Sequence, residues 1–534
     1  MPTVRRNSCE KITGFGENVA KMQRGTIDRI SELPDFILHS ILLMLDTKEV
    51  CRASVLSKRW YGAWSSVPVL DFQLRYFQKY GDDLYNCDDN TLERFVGFID
   101  KTMQRYSMQK YRITKMHLLL PKIDEKLVSL IDKWIMIAVQ NQIQDFGISV
   151  VVGGYYYRLP EILFCAKSLK VLKCKRVKLP YYETMELVSL EYLTIYLDTV
   201  DGDMLQRIIS SSPLVELDVT ADKCLVNISL PWMKKGNGGD KCRSNGTMQS
   251  NLQECPLQKF VYGSFYGVDM LWPWNINVVA LKNLRKLEFT CVPITDDIVY
   301  ELACGLVALE SLVLSDCFNL KCIKISSNSL MQFRIAHALD FIKVTIDAPK
   351  LLEFSFNTEV GTSLSLVRVP DHCNAQFLPL CPDPFSTVWL VELKKFLVET
   401  NFFKSLVIEL SDPSYPLEIV IDEDELRNTV TGLPYKLSEL KLCGINDWNR
   451  TEFSVVAFLD ALFLCCHPDV LSLTTSLENS ASEFILNILN ILKRKVHCYT
   501  HPLRSIEVEG ADCSSLLSKT SEIEMRFRLS WCQV

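Results

Sequence analysis

The chain of 534 residues contains no run of about 18 uncharged apolar residues, so no helical membrane span is expected. It has no Cys-x-x-Cys and no His-Glu-x-x-His, which removes the closely spaced ligand pairs of the common zinc sites. Glycine is sparse, and Gly236 to Gly239 lacks the flanking strand and helix that a phosphate-binding loop requires. Only seven histidines occur, none with a paired carboxylate or nucleophile nearby in sequence, so no local signature of catalysis is present. Positive charge is also short. Lys and Arg total 58 against 64 Asp and Glu, a net −6, which argues against bulk electrostatic binding of nucleic acid. Residues 1–27 lack the apolar core of a signal peptide. The 20 cysteines, spread singly apart from Cys465-Cys466, therefore read as reduced, buried thiols of a cytoplasmic or nuclear protein. Outside the secretory pathway the sequons at Asn227, Asn245 and Asn449 are chance matches. Cys465, Cys466 and His467 come nearest to a ligand set and read as packing residues, so no metal or cofactor is expected.

What is present is a dense N-terminal segment, Asp28 to Trp64, with more apolar surface than so short a piece can bury alone. Pro34 suits the first position of a helix, with Asp35 favourable in the first turn. Ile37, Leu38, Ile41, Leu42 and Leu45 follow at helical spacing and form one apolar stripe. Asp46 and Glu49 make a capping-box-like pair for a second short helix carrying Val50, Ala53 and Ser54. Ser57 caps a third segment with Trp60 and Trp64 as large anchors.

The order and spacing of Asp28-Arg29-Ile30-Ser31, Leu33-Pro34-Asp35, Ile41-Leu42, Thr47-Lys48 and Ser54 through Trp60 resemble the plant form of the F-box. The segment departs from that form at Met44-Leu45-Asp46-Thr47, where the family often has a proline before the Thr-Lys pair. The resemblance implies binding to a Skp-type adaptor and, through it, to cullin. Leu33, Pro34, Leu38, Ile41, Leu45 and Trp60 match family positions that bury against the adaptor or hold its binding hairpin.

Beyond this hairpin, helices are expected from about Thr91 to Arg105 and from Glu125 to Gln140. Strands are expected from Arg112 to Leu120 and Phe146 to Val152. A phrase then recurs: Leu, two variable residues, an apolar residue, one variable residue, an apolar residue. It runs from Leu169/Leu172/Cys174 and Leu190/Leu193/Ile195 to Leu351/Phe354/Phe356, with leucine spacings of 21, 24, 43, 27, 25, 21 and 21. It returns at Leu437/Leu440/Leu442 and Leu503/Ile506/Val508. Most spacings fall in the leucine-rich-repeat range, and strand alternation would turn the phrase inward. Asp203 to Ile209 and Asp296 to Leu302 read as helical connectors, and Lys234 to Asn251 as a flexible insertion that fills the 43-residue gap. From Phe385 the phrase falters. Helices are expected at Trp389–Thr400 and Phe484–Leu492, and a strand at Leu503–Glu509.

Ile131-Asp132-Lys133-Trp134-Ile135, Leu159-Pro160 through Leu163-Phe164, and Ser168 through Leu172 extend the resemblance to the plant F-box/leucine-rich-repeat family. The expected fold is α/β, a short three-helix F-box followed by a curved leucine-rich-repeat solenoid. Its expected parts are a disordered tail (1–26), the F-box (27–72), the solenoid (73–375) and an irregular C-terminal capping region (376–534). The resemblance implies a non-catalytic, substrate-recruiting subunit of a Skp–cullin–F-box ubiquitin ligase whose repeats hold a target protein. The alternatives are a small-molecule-dependent receptor of the same ligase class and an interaction scaffold outside any ligase. Tyr155-Tyr156-Tyr157, Trp272-Pro273-Trp274 and the acidic run Asp422 to Glu425 are further surface candidates, each with a packing or solvated-helix role as its commoner explanation.

Overall fold

The computed structural model describes residues 33–45, 50, 53, 57–74, 88–151, 157–179, 182–197, 202–221, 233–235, 256–264, 274–276, 281–317, 319–338, 343–380, 385–410, 419–444, 452–476, 481–496, 503–508 and 522–531. The expected tail, the Asp46/Glu49 capping pair, Tyr155-Tyr156 and Trp272-Pro273 lie outside these residues. The chain divides into two compact units, Met1–Phe146 and Gly147–Val534.

The first unit begins with helix α1 (Asp35–Met44) and helix α2 (Lys58–Ser65), with Val50 and Ala53 helical between them. Pro34 is the N-cap of α1, one residue earlier than the expected first helical position, because its ψ of 148° is extended. Ser57 caps α2 as expected, accepting from the Trp60 N–H at 3.2 Å. The extended segment that follows is strand β1 (Val69–Gln73), which runs parallel to strand β2 (Lys115–Leu120) in the register Val69↔Lys115 to Gln73↔Leu119. Helix α3 (Asp89–Gln109) starts where the Asp88 carboxylate accepts from the Thr91 N–H, and it buries Phe95, Ile99, Thr102, Met103 and Tyr106 at helical spacing. Helix α4 (Glu125–Gln140) is capped in the same way by Asp124 and buries Leu127, Ile131, Trp134 and Ile135. Asp100 on α3 accepts from Lys133 Nζ at 3.0 Å and Trp134 Nε1 at 3.1 Å, tying the two helices together.

The second unit is mixed α/β, built on a long sheet of parallel strands. Val171–Lys175, Tyr192–Leu197, Glu216–Ala221, Lys259–Ser264, Lys286–Thr290, Ser311–Ser315, Gln332–Ala338, Glu353–Thr358, Asn374–Pro379, Ser405–Glu409, Tyr435–Cys443 and Cys466–Ser476 each pair in parallel with the next. The recurring phrase explains the ladder. Leu172 opposes Leu193, Leu193 opposes Leu217 and Leu217 opposes Phe260, so the inward positions stack in rows. From Leu169/Leu172/Cys174 to Leu351/Phe354/Phe356, these side chains are buried. The burial of each large one contributes roughly 1.5–3 kcal/mol, and only against its neighbours.

Two backbone devices repeat with the strands. One carbonyl accepts two successive N–H groups from the next repeat: Lys170 O from Glu191 and Tyr192, Gln258 O from Arg285 and Lys286, Arg285 O from Glu310 and Ser311. Arg176, Cys291 and Asp316, each just past a strand, have φ near +50°. Their N–H groups bond the carbonyls of Tyr196, Ser315 and Ala336. The left-handed residue turns the chain out of the sheet while keeping its donor paired.

The expected connectors are helices Gly202–Ser211 and Asp296–Gly305, and the later helices are Thr387–Thr400 and Ala481–Val496. The parallel ladder continues past Phe385, where the phrase lapses, and ends at Cys466–Ser476. There the strand Glu522–Trp531 pairs antiparallel, and Leu503–Val508 pairs antiparallel with it in turn. Leu503 and Ile506 are buried, but Val508 is exposed, so this last match to the phrase is not a repeat of the ladder. The expected insertion begins differently: Met233–Lys235 forms a short strand antiparallel to Trp274–Ile276, so Lys234 and Lys235 are strand rather than loop. Asp422 caps a helix, Glu423–Thr429, by accepting from the N–H groups of Asp424 and Glu425, which accounts for the acidic run. Cys465 and Cys466 are buried thiols directed at the Leu390 and Leu462 carbonyls, and His467 stacks on Trp531 at 3.9 Å.

Candidate functional site

The N-terminal hairpin closes on its own small core. Leu38, Leu42, Val50, Trp60, Ala63 and Val67 are buried together, with Leu33, Ile41, Leu45, Ala53 and Trp64 packed against them. His39 Nε2 lies 3.1 Å from both the Ala63 carbonyl and Ser66 Oγ, pinning α1 to the end of α2. Arg59 pairs with Asp35 at 3.1 Å and donates to the Leu33 carbonyl, which fixes the chain entering α1. Tyr106 on α3 donates its hydroxyl to the Val67 carbonyl, and the Arg105 guanidinium lies 4.6 Å over the Trp64 ring. Burial raises the Tyr106 phenol well above its ordinary pKa, so it stays a donor. A cavity of about 190 Å³, lined by Leu42, Val50, Trp64, Phe98 and Arg105 among others, remains beside these contacts. It is smaller than the roughly 300–1,000 Å³ of a typical small-molecule site.

The six residues expected to form the adaptor site separate into three groups. Leu38 and Trp60 are interior, 0% and 5% exposed, and hold the hairpin closed. Leu33, Ile41 and Leu45 are half-buried at its margin. Pro34 is exposed.

The surface open to a partner contains residues that the single-stripe reading missed. Phe36, Leu43, Met44 and Tyr61 are 67%, 48%, 85% and 53% exposed. The sequence does carry a signal for three of them. Phe36, Leu43 and Met44 stand at i, i+7 and i+8, a second apolar stripe left over once Leu38, Ile41, Leu42 and Leu45 are assigned inward. A helix apolar on two faces has one face more than its own hairpin uses.

In the second unit, the residues between the inward positions point to the opposite, exposed face of the sheet. Many of its charges are paired between neighbouring repeats, as in Lys170–Glu191 at 3.3 Å and Lys259–Glu216 at 3.4 Å. Asp218 is an exception. Burial, partly offset by Lys259 and reinforced by Glu288 and Glu216, raises its pKa to about 6, and its Oδ1 is buried without a hydrogen bond. Among the described residues no cluster of His, Cys, Asp or Glu is arranged to hold a metal ion, and no helix is long and apolar enough to cross a membrane.

Comparison with known proteins agrees with this layout. A model of the F-box domain matches residues 30–72, and a model described as the LRR domain of At1g61320/AtMIF1 matches residues 273–389. Relatives from Arabidopsis thaliana include the F-box/FBD/LRR-repeat protein At5g56420, 29% identical over 39% of this chain and 48% of its own length. F-box/LRR-repeat protein 13 is 31% identical over 36% of this chain and 40% of its own length. The FBD-associated F-box protein At5g56370 is 30% identical over 48% of this chain and 54% of its own length. The chain thus spans about half the length of the curated relatives it matches.

Proposed function

We propose that this chain, an F-box protein that carries a leucine-rich-repeat domain after the F-box, is the substrate-recognition subunit of a Skp–cullin–F-box ubiquitin ligase. The observation that carries the reading is the second apolar stripe of α1. Phe36, Leu43 and Met44 are solvent-exposed, while Leu38, Leu42, Trp60 and Ala63 form the hairpin's own core. Burying such a stripe against a partner is favourable at roughly 25 cal/mol per Å² before association costs are met. The F-box match supports a Skp-type adaptor, and through it cullin, as the partner.

The repeats would then hold the target protein. Catalysis in this scheme is proximity: a target held beside a ubiquitin-charged partner reacts as if intramolecularly, and the chain itself supplies no reacting group. Membership of the F-box/leucine-rich-repeat class supports an interaction role rather than an enzymatic one.

Co-purification of the full chain with a Skp-type adaptor tests this, with Leu33→Ala/Pro34→Ala alongside. Wild type is expected to retain adaptor and the double variant to lose it. Loss of buried hot-spot contacts costs about 2 kcal/mol or more, roughly thirtyfold in affinity. Equal retention by both proteins would remove Leu33 and Pro34 from the site. Retention by neither, with both folded, would remove the ligase assignment.

A further inference from the structure

On the exposed face of the sheet, the strands Val171–Lys175, Tyr192–Leu197 and Glu216–Ala221 lie side by side in register. Lys173 opposes Thr194, and Thr194 opposes Asp218, so a cation and an anion occupy one row two strands apart. At about 4.8 Å per strand, their Cα atoms are roughly 10 Å apart. The strand between them carries Tyr192 and Tyr196 on either side of Thr194, with Tyr192 37% exposed. Lys173 and Lys175 are both exposed, and Lys175 Nζ lies 5.7 Å over the Tyr196 ring. The patch therefore has a basic end, an aromatic middle and an acidic end.

Asp218 is only half-buried at the acidic end, and Lys259 on the next strand forms its own ion pair with Glu216. The exposed part of the Asp218 carboxylate leaves a negative charge there for a cation arriving from outside. Lys173 offers an exposed positive charge at the other end. Resting on the target-recruiting reading above, we propose that this patch is a docking site for an extended segment of the target protein, one that carries an acidic side chain over Lys173 and Lys175 and a basic one over Asp218.

The geometry also selects the spacing. In a polyproline-II conformation, residues three apart share a face and are separated by roughly 9.3 Å, close to two strand spacings. Aromatic surfaces are the usual floor for such segments. The recognised motif is thus an acidic residue, two intervening residues and a basic residue, with proline favoured between them.

The test is selection of a random decapeptide display library on the full-length chain, run in parallel on Lys173→Glu/Lys175→Glu and on Asp218→Asn. Wild type is expected to enrich peptides with an acid and a base three positions apart. The Lys173→Glu/Lys175→Glu variant is expected to bind those peptides roughly tenfold more weakly, consistent with two lost charge contacts. It should enrich instead for bases at the acidic position. Asp218→Asn should relax only the basic position. Both lysines are exposed, so an unchanged melting temperature is expected and separates lost recognition from lost fold. Enrichment of no peptide, of peptides without this charge pattern, or of the same peptides on all three proteins would overturn the proposal. Adaptor binding by the Lys173→Glu/Lys175→Glu variant is read separately. A chain that selects the motif but binds no adaptor would sink the ligase reading and leave the docking site standing.

Discussion

At the scale of single residues, the hairpin separates side chains that hold a shape from those that present one. Leu38 is fully buried and Met44 is 85% exposed, though both are large apolar residues of one helix. Leu38→Ala is expected to lower unfolding stability by about 2–5 kcal/mol, the range for a buried leucine truncated in a packed core. Met44→Ala should change stability by less than about 0.5 kcal/mol, as for an exposed position. Chemical denaturation of the two variants checks the pair, and equal costs would mean that the exposed stripe is packed in solution. The sequence alone distinguishes these residues only partly. The first stripe is legible because Leu38, Ile41, Leu42 and Leu45 recur at helical spacing. Trp60 as an interior anchor is less so, because Trp60 and Trp64 are equally plausible inward residues until the His39 and Arg59 contacts fix the roll of α2.

At the scale of elements, periodicity carries most of the fold and tertiary contacts supply the rest. The helix Glu125–Gln140 was legible to its ends because Asp124 caps it and its stripe is unbroken. The ladder beyond Phe385 was legible only at Tyr435–Cys443, through the buried Leu437, Leu440 and Leu442; Ser405–Glu409 was not, because it is nearly continuous in its burial and lacks the alternation that marks the earlier strands. That later region relies on devices no periodicity shows. Lys394 is 6% exposed, on the helix Thr387–Thr400, and its ammonium donates to the Thr431 and Gly432 carbonyls at 3.0 Å each. Burial lowers its pKa, with a partial offset from Cys465. Gly432 has φ +78°, a left-handed turn that brings its carbonyl within reach of the lysine. Lys394→Ala should cost about 1–3 kcal/mol, since two carbonyls lose their donor. Loss of amide protection at the Thr431–Gly432 turn in hydrogen exchange would accompany it, and an unchanged exchange pattern would contradict this role.

At the scale of the whole molecule, the two units suit the division of work proposed above. The first contributes a hairpin with its core closed and one apolar face outward. The second contributes a long parallel ladder stacked by its inward rows and its backbone hydrogen bonds, with the side chains of the opposite face left to other roles. On the proposed reading, outward residues such as Lys173 and Asp218 would specify a target without disturbing the fold. That reading also explains why the adaptor class is easier to read than the target: the hairpin's spacing is tightly constrained by its small core, whereas the outward positions answer only to their ligand.

The most direct measurement is the affinity of the full-length chain for a purified Skp-type adaptor by titration calorimetry, compared with the Phe36→Ala/Met44→Ala variant. Tight equimolar binding by wild type, weakened roughly thirtyfold or more in a variant of unchanged melting temperature, is the expected result. Wild-type affinity in the variant would contradict the role of the exposed stripe, and no binding by the folded wild-type chain would contradict the adaptor-recruiting account itself.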